Sequence, residues 1–219
     1  MDSERGQQRP MGGLGMSVGR LEAFSDGVLA IVITLLILNI GVPEPGAEAG
    51  SLAKELGRQW PEYLAYLLSF MTIGIIWLNH HATINLLART DHTLQVLNLL
   101  LLLPVSILPW PTELLSRYAR AGGADERLSV IIYGGASTAM VCAFHLLWRH
   151  LLRHPELHKP GISRELLAVR NRRFLTGLAV YPIATGIGLI STPVFLALML
   201  ALALLYLLPT PDVQITGPG

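Results

Sequence analysis

Long apolar segments separated by short polar ones dominate the hydropathy pattern of this chain. Six stretches of roughly 20 apolar residues, the length that crosses the hydrocarbon core of a bilayer as a helix, lie at residues 24–42, 62–84, 94–115, 128–148, 172–191 and 193–209. The first of them ends in Gly- and Pro-containing sequence at 41–46, which is typical of a helix end. The pattern predicts an all-α integral membrane protein with six transmembrane helices per chain.

Polar segments at the two ends limit the predicted transmembrane domain. Residues 1–19 are polar and rich in glycine, a composition typical of a flexible leader. The first apolar stretch follows this segment and carries Asp26 at its head, so we interpret it as a permanent helix and not as a signal peptide. We therefore expect a cytoplasmic leader over 1–19, a six-helix transmembrane domain over 20–209 and a flexible cytoplasmic tail over 210–219.

Composition and charge support a membrane location and indicate the orientation. The chain is 52% hydrophobic and only 14% charged, against about a quarter charged in soluble domains. The net charge of +1 gives no reason to expect a nucleic-acid partner. If the N-terminus is cytoplasmic, eleven Lys and Arg residues lie inside (Arg5, Arg9, Arg20, Arg89, Arg149, Arg153, Lys159, Arg164, Arg170, Arg172 and Arg173) and five outside (Lys54, Arg58, Arg117, Arg120 and Arg127). The positive-inside rule therefore places both termini in the cytoplasm.

Prolines and small residues predict local features of the later helices. Pro104, Pro109 and Pro111 lie in the outer half of the third stretch, so we expect a kink or an early end there. The fourth stretch contains consecutive small residues at 134–137, which allow helices in lipid to approach closely. The polar segment at 149–173 reads as a solvated cytoplasmic loop near anionic lipid.

The first helix places two kinds of side chain on different faces. At about 100° per residue, with Ile31 as zero, Leu35 falls near 40° and Leu38 near −20°. Thr34 falls near −60°, and Asp26 falls near −140°, almost opposite the aliphatic stripe. From the pattern alone, packing against a neighbouring helix explains this stripe better than a pore does.

Asp26 requires a partner because a carboxylate within a membrane helix is costly and normally faces the protein interior. Counting about 20 residues inward from Pro61 at 1.5 Å per residue brings His80 and His81 to a similar depth. We therefore expect Asp26 to contact one of these two histidines. Other hydrogen-bonding side chains predicted nearby are Ser25, Trp77 and Asn79.

Three interpretations of this cluster are open. The first and favoured one is a contact that fixes one helix to another. The second is a proton relay, which would make the protein a proton-coupled transporter that uses Asp26 and His80 or His81. The third, a metal site, is disfavoured because adjacent histidines on a helix point about 100° apart and do not converge.

The motif Arg20-x-x-x-Phe24-Ser25-Asp26, followed by GVLAIVITLLIL, and the later Trp77-x-x-His80 resemble the signature of the transmembrane protein 175 family. The family comprises potassium channels of lysosomes and of prokaryotic membranes. The single FSD triplet implies the prokaryotic six-helix type, which is a homotetramer with the first helix lining a central pore.

The resemblance also implies roles for individual residues. Ile31 would form the narrowest ring of the pore, Leu35 and Leu38 would extend the hydrophobic path outward, and Thr34 would supply a hydroxyl ring implicated in selectivity. The packing network between the first two helices would consist of Arg20, Phe24, Ser25, Asp26, Trp77, Asn79, His80 and His81.

The function implied by the resemblance is passive conduction of K⁺ through a hydrophobic constriction, with weak to moderate selectivity over Na⁺ and some passage of Cs⁺. No enzyme activity, metal or cofactor is expected beyond the permeant ions. The expected partners are other copies of the chain and membrane lipid, in the cell membrane of a prokaryote.

Overall fold

The predicted apolar stretches are helical in the computed structural model, which describes residues 16–44 and 52–207. Within those ranges the chain forms eight α-helices and two short 3₁₀ turns, at Leu36–Asn39 and Pro155–Leu157. The α-helices are α1 (Val18–Leu35), α2 (Leu52–Arg58), α3 (Trp60–Ile84), α4 (His92–Ile107), α5 (Pro109–Tyr118), α6 (Gly123–Arg153), α7 (Arg164–Gly188) and α8 (Thr192–Leu207).

Six apolar helical segments of the described chain correspond to the six predicted spans. Four are long and apolar enough to cross a membrane: Val18–Asn39, Trp60–Ile84, His92–Tyr118 and Gly123–Arg153. Two shorter ones, Leu175–Gly188 and Thr192–Leu207, complete the set. The protein is therefore an all-α membrane protein. Residues 1–15 of the predicted leader and the whole predicted tail lie outside the described residues, and α1 already begins at Val18 behind its N-cap Ser17.

The predicted break in the third span is confirmed. Helix α4 ends at Ile107 and α5 begins at Pro109, with Leu108 between them. A proline at the start of α5 fits this break, because proline has no amide hydrogen to donate to the preceding turn. Pro104, in contrast, is accommodated inside α4.

The polar segment at 149–173 is more ordered than the sequence predicted. Helix α6 continues to Arg153 and α7 starts at Arg164. The intervening chain pairs with the α3–α4 turn, since the Ala88 amide donates to the Leu157 carbonyl and the Lys159 amide donates to the Leu86 carbonyl, both at 2.8 Å. The backbone groups of the linker thus find protein partners, which an open solvated loop would lack.

Asp91 fixes the start of α4 at this turn. Its carboxylate accepts a hydrogen bond from the Leu94 amide at 2.7 Å and lies 2.9 Å from His150 Nε2 on α6. Partial burial acts to raise the pKa of Asp91, but the Leu94 amide and the His150 ring outweigh burial and hold the pKa below its usual value. The adjacent Thr90 hydroxyl donates to the Met16 carbonyl, just before α1. The turn thus links the starts of α1 and α4 to the end of α6.

Small residues bring α6 and α7 together, as the fourth stretch predicted. A Cβ atom added at Gly134 would overlap the Thr185 side chain on α7. At the other end of the contact, a Cβ at Gly188 would lie 2.6 Å from Val130 Cγ1. The two helices approach at these glycines more closely than any other residue type allows.

We expect Gly134→Ala to destabilise the protein by about 1–3 kcal/mol, because the added methyl group overfills a packed contact. Its neighbour Gly135 is a matched control, since it is exposed and a Cβ there has nothing within 4 Å. Gly135→Ala should be neutral or stabilising, because alanine is favoured over glycine in a helix by about 1 kcal/mol. Thermal melting of both variants in detergent checks the prediction, and a Gly134→Ala melting temperature at or above that of Gly135→Ala would contradict it.

Candidate pore-lining helix and its anchor

Helix α1 buries one face against α3 and α4 of its own chain. The buried side chains on this face are Leu21, Ser25, Leu29 and Val32, and Leu36 continues the line into the 3₁₀ turn. Their spacing of three or four residues places them on one side of the helix. This face is mostly aliphatic, so burial of apolar surface holds α1 in place.

The aliphatic stripe of α1 lies on a separate, uncovered side of the helix. Ile31 is 61% exposed and Leu38 is 74% exposed, with Leu35 and Thr34 also exposed between them. No described helix of the same chain covers this stripe. Packing inside the chain, the preferred explanation from the pattern alone, therefore does not account for it.

Thr34 keeps its oxygen on the exposed face while its hydrogen is used within the helix. The hydroxyl oxygen lies 2.8 Å from the Ile31 carbonyl and 3.1 Å from the Ala30 carbonyl. A hydroxyl has one hydrogen to donate and two lone pairs that accept. The outward side of Thr34 therefore offers acceptor lone pairs beside the aliphatic stripe.

Asp26 does not contact either histidine, so that prediction was wrong. Its Oδ1 atom accepts a hydrogen bond from Trp77 Nε1 at 3.0 Å. One turn nearer the start of α1, His81 Nδ1 lies 3.0 Å from Glu22 Oε1. Glu22 and Asp26 are four residues apart on α1, and Trp77 and His81 are four residues apart on α3. The two contacts therefore lie one helical turn apart along the antiparallel pair α1 and α3. In this alignment of the two helices, Asp26 lies at the same height as Trp77.

His80 instead belongs to a buried chain of hydrogen bonds that ends on α1. The Ser25 hydroxyl donates to the Leu21 carbonyl at 2.9 Å, and Asn98 Nδ2 donates to Ser25 Oγ at 2.9 Å. Asn98 Oδ1 lies 2.8 Å from His80 Nε2. Because the amide oxygen can only accept, His80 carries its hydrogen on Nε2 in this arrangement.

Asn98 is the residue of this site that the sequence reasoning missed. Its side chain is fully buried and joins α4 to both α1 and α3. A sequence signal was present, because a lone asparagine interrupts the apolar run LQVLNLLLLL and polar residues within membrane helices are usually paired or functional.

The other motif residues do not join the network as predicted. Phe24 lies half exposed on the side of α1 that carries Ile31, and Arg20 lies exposed in the first turn. Asn79 donates to the Ile75 carbonyl of its own helix at 2.8 Å. Only Ser25 and Asp26 of the R-x-x-x-F-S-D motif therefore fasten α1 to its own chain. Among the described residues, no three His, Cys, Asp or Glu side chains converge as a metal site would require.

Comparison with known proteins identifies the family. The chain is 42% identical over 204 residues to a potassium channel of Streptomyces collinus, an alignment that covers 92% of this chain and 98% of that protein. The chain belongs to the TMEM175 family. The family model described as endosomal/lysosomal potassium channel TMEM175 matches residues 20–109, which run from the arginine of the motif to the first residue of α5.

Solved and curated TMEM175 relatives extend the likeness beyond this region. The crystal structure of a lysosomal potassium-selective channel TMEM175 homolog from Chamaesiphon minutus superimposes with a TM-score of 0.76 at 36% identity, covering 86% of this chain and 95% of that one. The human endosomal/lysosomal proton channel TMEM175 is 35% identical over 192 residues. This TMEM175 chain spans about a third of the human protein's length (36%).

Proposed function

We propose that this TMEM175 chain forms a potassium-permeable channel whose pore is lined by α1. The observation that carries the proposal is the uncovered stripe of Ile31, Leu35 and Leu38 on the helix that bears the family motif. Relatives at 42% and 37% identity over most of the chain are named potassium channels. An apolar stripe of this kind lines a path when several copies of the helix surround it.

The channel is a homotetramer in this proposal. One α1 helix cannot enclose a path by itself, and the single FSD triplet matches the prokaryotic type that assembles from four copies. Small residues support side-by-side packing of copies, since they allow helices to approach closely in lipid. Gly19, Ala23, Gly27 and Ala30 form an exposed strip about 100° from the aliphatic stripe. Atoms outside their own helix come no closer than 4 Å to a Cβ built at Gly19 or Gly27. These glycines therefore leave room for a neighbouring copy.

Both termini lie in the cytoplasm of a prokaryotic cell in this proposal. The excess of Lys and Arg on the segments that would then be inside supports this orientation. The turn that holds Asp91 and His150 is on the cytoplasmic side, and the α3 end at Trp60 is outside. Asp26 and Trp77 lie toward the cytoplasmic end of the path.

The proposed pore works by size and wetting. A ring of four Ile31 side chains has no lone pairs to replace the hydration shell of an ion, so a narrow ring stays dry and closed while a wider one admits a partly hydrated ion. The Thr34 hydroxyls supply the nearest acceptors. K⁺ sheds water more readily than Na⁺, which gives weak to moderate selectivity for K⁺, with Cs⁺ also passing to some degree.

Ion flux from liposomes that contain the purified protein tests the function. We expect K⁺ efflux down its gradient with the membrane potential clamped, slower Na⁺ flux, and no stoichiometric movement of protons. The proton-coupled alternative required a contact between Asp26 and a histidine, whereas Asp26 bonds to Trp77 and His80 bonds to Asn98. Proton movement in fixed ratio to K⁺ would overturn the channel proposal.

A further inference from the structure

The outer end of α1 changes its helical type at the last part of the aliphatic stripe. Leu36–Asn39 form a 3₁₀ turn, and the Ile40 amide closes it by donating to the Ile37 carbonyl at 3.1 Å. Side chains three residues apart eclipse one another in a 3₁₀ helix, whereas in an α-helix they differ by about 60°. The turn therefore brings Leu38 into line with Leu35, in place of the offset of about 60° expected for a continuous α-helix.

A four-residue 3₁₀ turn needs support from outside, because its hydrogen-bond geometry is poorer than that of an α-helix and longer runs are uncommon. Asn39 provides a partly buried contact, since its Nδ2 atom donates to the Pro109 carbonyl at the start of α5 at 2.9 Å. Just beyond the turn, Gln59 Nε2 donates to the Gly41 carbonyl, also at 2.9 Å. Two side-chain amides thus hold the outer exit of α1 to α5 and to the start of α3.

We propose that Asn39 is a positioning residue of the ion path. Asn39 holds the 3₁₀ turn and so fixes the direction in which the Leu38 side chain points. The inference rests on the proposed function, because it assigns Leu38 to the outer end of the path. Without the tether, relaxation to an α-helix would rotate Leu38 by about 60° and move its side chain by up to about 5 Å, the radius of a helix with its side chains. Asn39 thereby influences ion discrimination without touching the ion.

Spin labels measure this position directly. In a Cys142→Ser background, which removes the cysteine at 142, nitroxides at Leu38→Cys and Tyr118→Cys report the distance from the turn to the end of α5. Dilution with unlabelled protein leaves only distances within one chain. Leu35→Cys with Tyr118→Cys is the matched pair, because Leu35 precedes the 3₁₀ turn.

Asn39→Asp is the informative variant, since it keeps the size of the side chain but replaces the N–H donor by a carboxylate oxygen, which the Pro109 carbonyl repels. We expect the 38–118 distance to shift by up to about 5 Å and to broaden, with the 35–118 distance unchanged and the K⁺/Na⁺ flux ratio falling toward one. Asn85→Asp makes the same chemical change at an exposed amide on the cytoplasmic side and should change neither quantity. If Asn39→Asp does not fold, Gln59→Glu removes the second tether and should give a smaller shift in the same direction.

The spin-label distance and the K⁺/Na⁺ flux ratio test two separate parts of the proposal. An unchanged 38–118 distance in a folded tether variant would overturn the positioning role, and a shifted distance with an unchanged flux ratio would overturn its role in ion discrimination. Failure of the proposed function appears instead as an absence of K⁺ flux through the wild-type protein. The distance measurement does not depend on that flux, so it still decides whether Asn39 positions Leu38.

Discussion

Ile31→Asn is expected to increase K⁺ flux through the reconstituted protein about tenfold and to lower its K⁺/Na⁺ flux ratio, since removal of a barrier of about 1.4 kcal/mol changes a rate tenfold. In the proposed pore, the amide group offers hydrogen bonds to water, which the apolar Ile31 side chain cannot do. A wetted ring no longer forces ions to shed water, so both ions pass more freely. Ile31→Ala should act in the same direction by widening the ring.

Ile183 provides a matched control for this experiment. Its side chain is 61% exposed, the same fraction as that of Ile31, but it lies on α7. Ile183→Ala removes the same atoms from a position away from α1 and should leave flux and selectivity unchanged. Equal effects of Ile31→Ala and Ile183→Ala, or no effect of either Ile31 variant, would show that Ile31 does not form the constriction.

Asn98→Leu is expected to reduce the free energy of unfolding by about 1–3 kcal/mol, the cost of leaving a buried polar group unsatisfied. Leucine has a similar size, but it offers no partner to His80 and no donor to Ser25. The substitution removes the side-chain hydrogen bonds from α4 to α1 and α3. Thermal melting in detergent and the yield of assembled protein measure the loss.

A double-mutant cycle separates this hydrogen bond from simple packing changes. His80→Leu alone should also destabilise the protein, because it leaves the Asn98 oxygen without its donor. The double variant His80→Leu/Asn98→Leu should lose less than the sum of the two single variants, since removal of both partners leaves fewer polar groups unsatisfied. Strictly additive losses would mean that the His80–Asn98 contact contributes nothing to stability.

The error about Asp26 has a specific physical cause. Counting residues along the second span gave the depth of each of its side chains only to within about one helical turn. Three residues of an α-helix correspond to about 4.5 Å. That distance separates Trp77 from His80 along α3. Depth alone also says nothing about the rotation of α3 about its axis, which directs His80 toward α4 and His81 toward Glu22. The partner of Asp26 depended both on the depth of each side chain along α3 and on the rotation of α3 about its axis.

Sequence by itself determined the features that depend on local periodicity and composition. It predicted the six apolar spans, the break before α5, the close packing of α6 through its small residues, and the separation of Asp26 from the Ile31 stripe around α1. Each follows from neighbouring residues on one helix, whose geometry is nearly the same in every protein.

Only the tertiary structure decided which side chains meet between helices. It paired Asp26 with Trp77, placed Asn98 between Ser25 and His80, and left Phe24 outside the network. It also revealed the 3₁₀ turn at Leu36–Asn39. These contacts depend on the axial shift and rotation of helices far apart in the sequence, which the packing of the whole bundle sets and no single helix encodes.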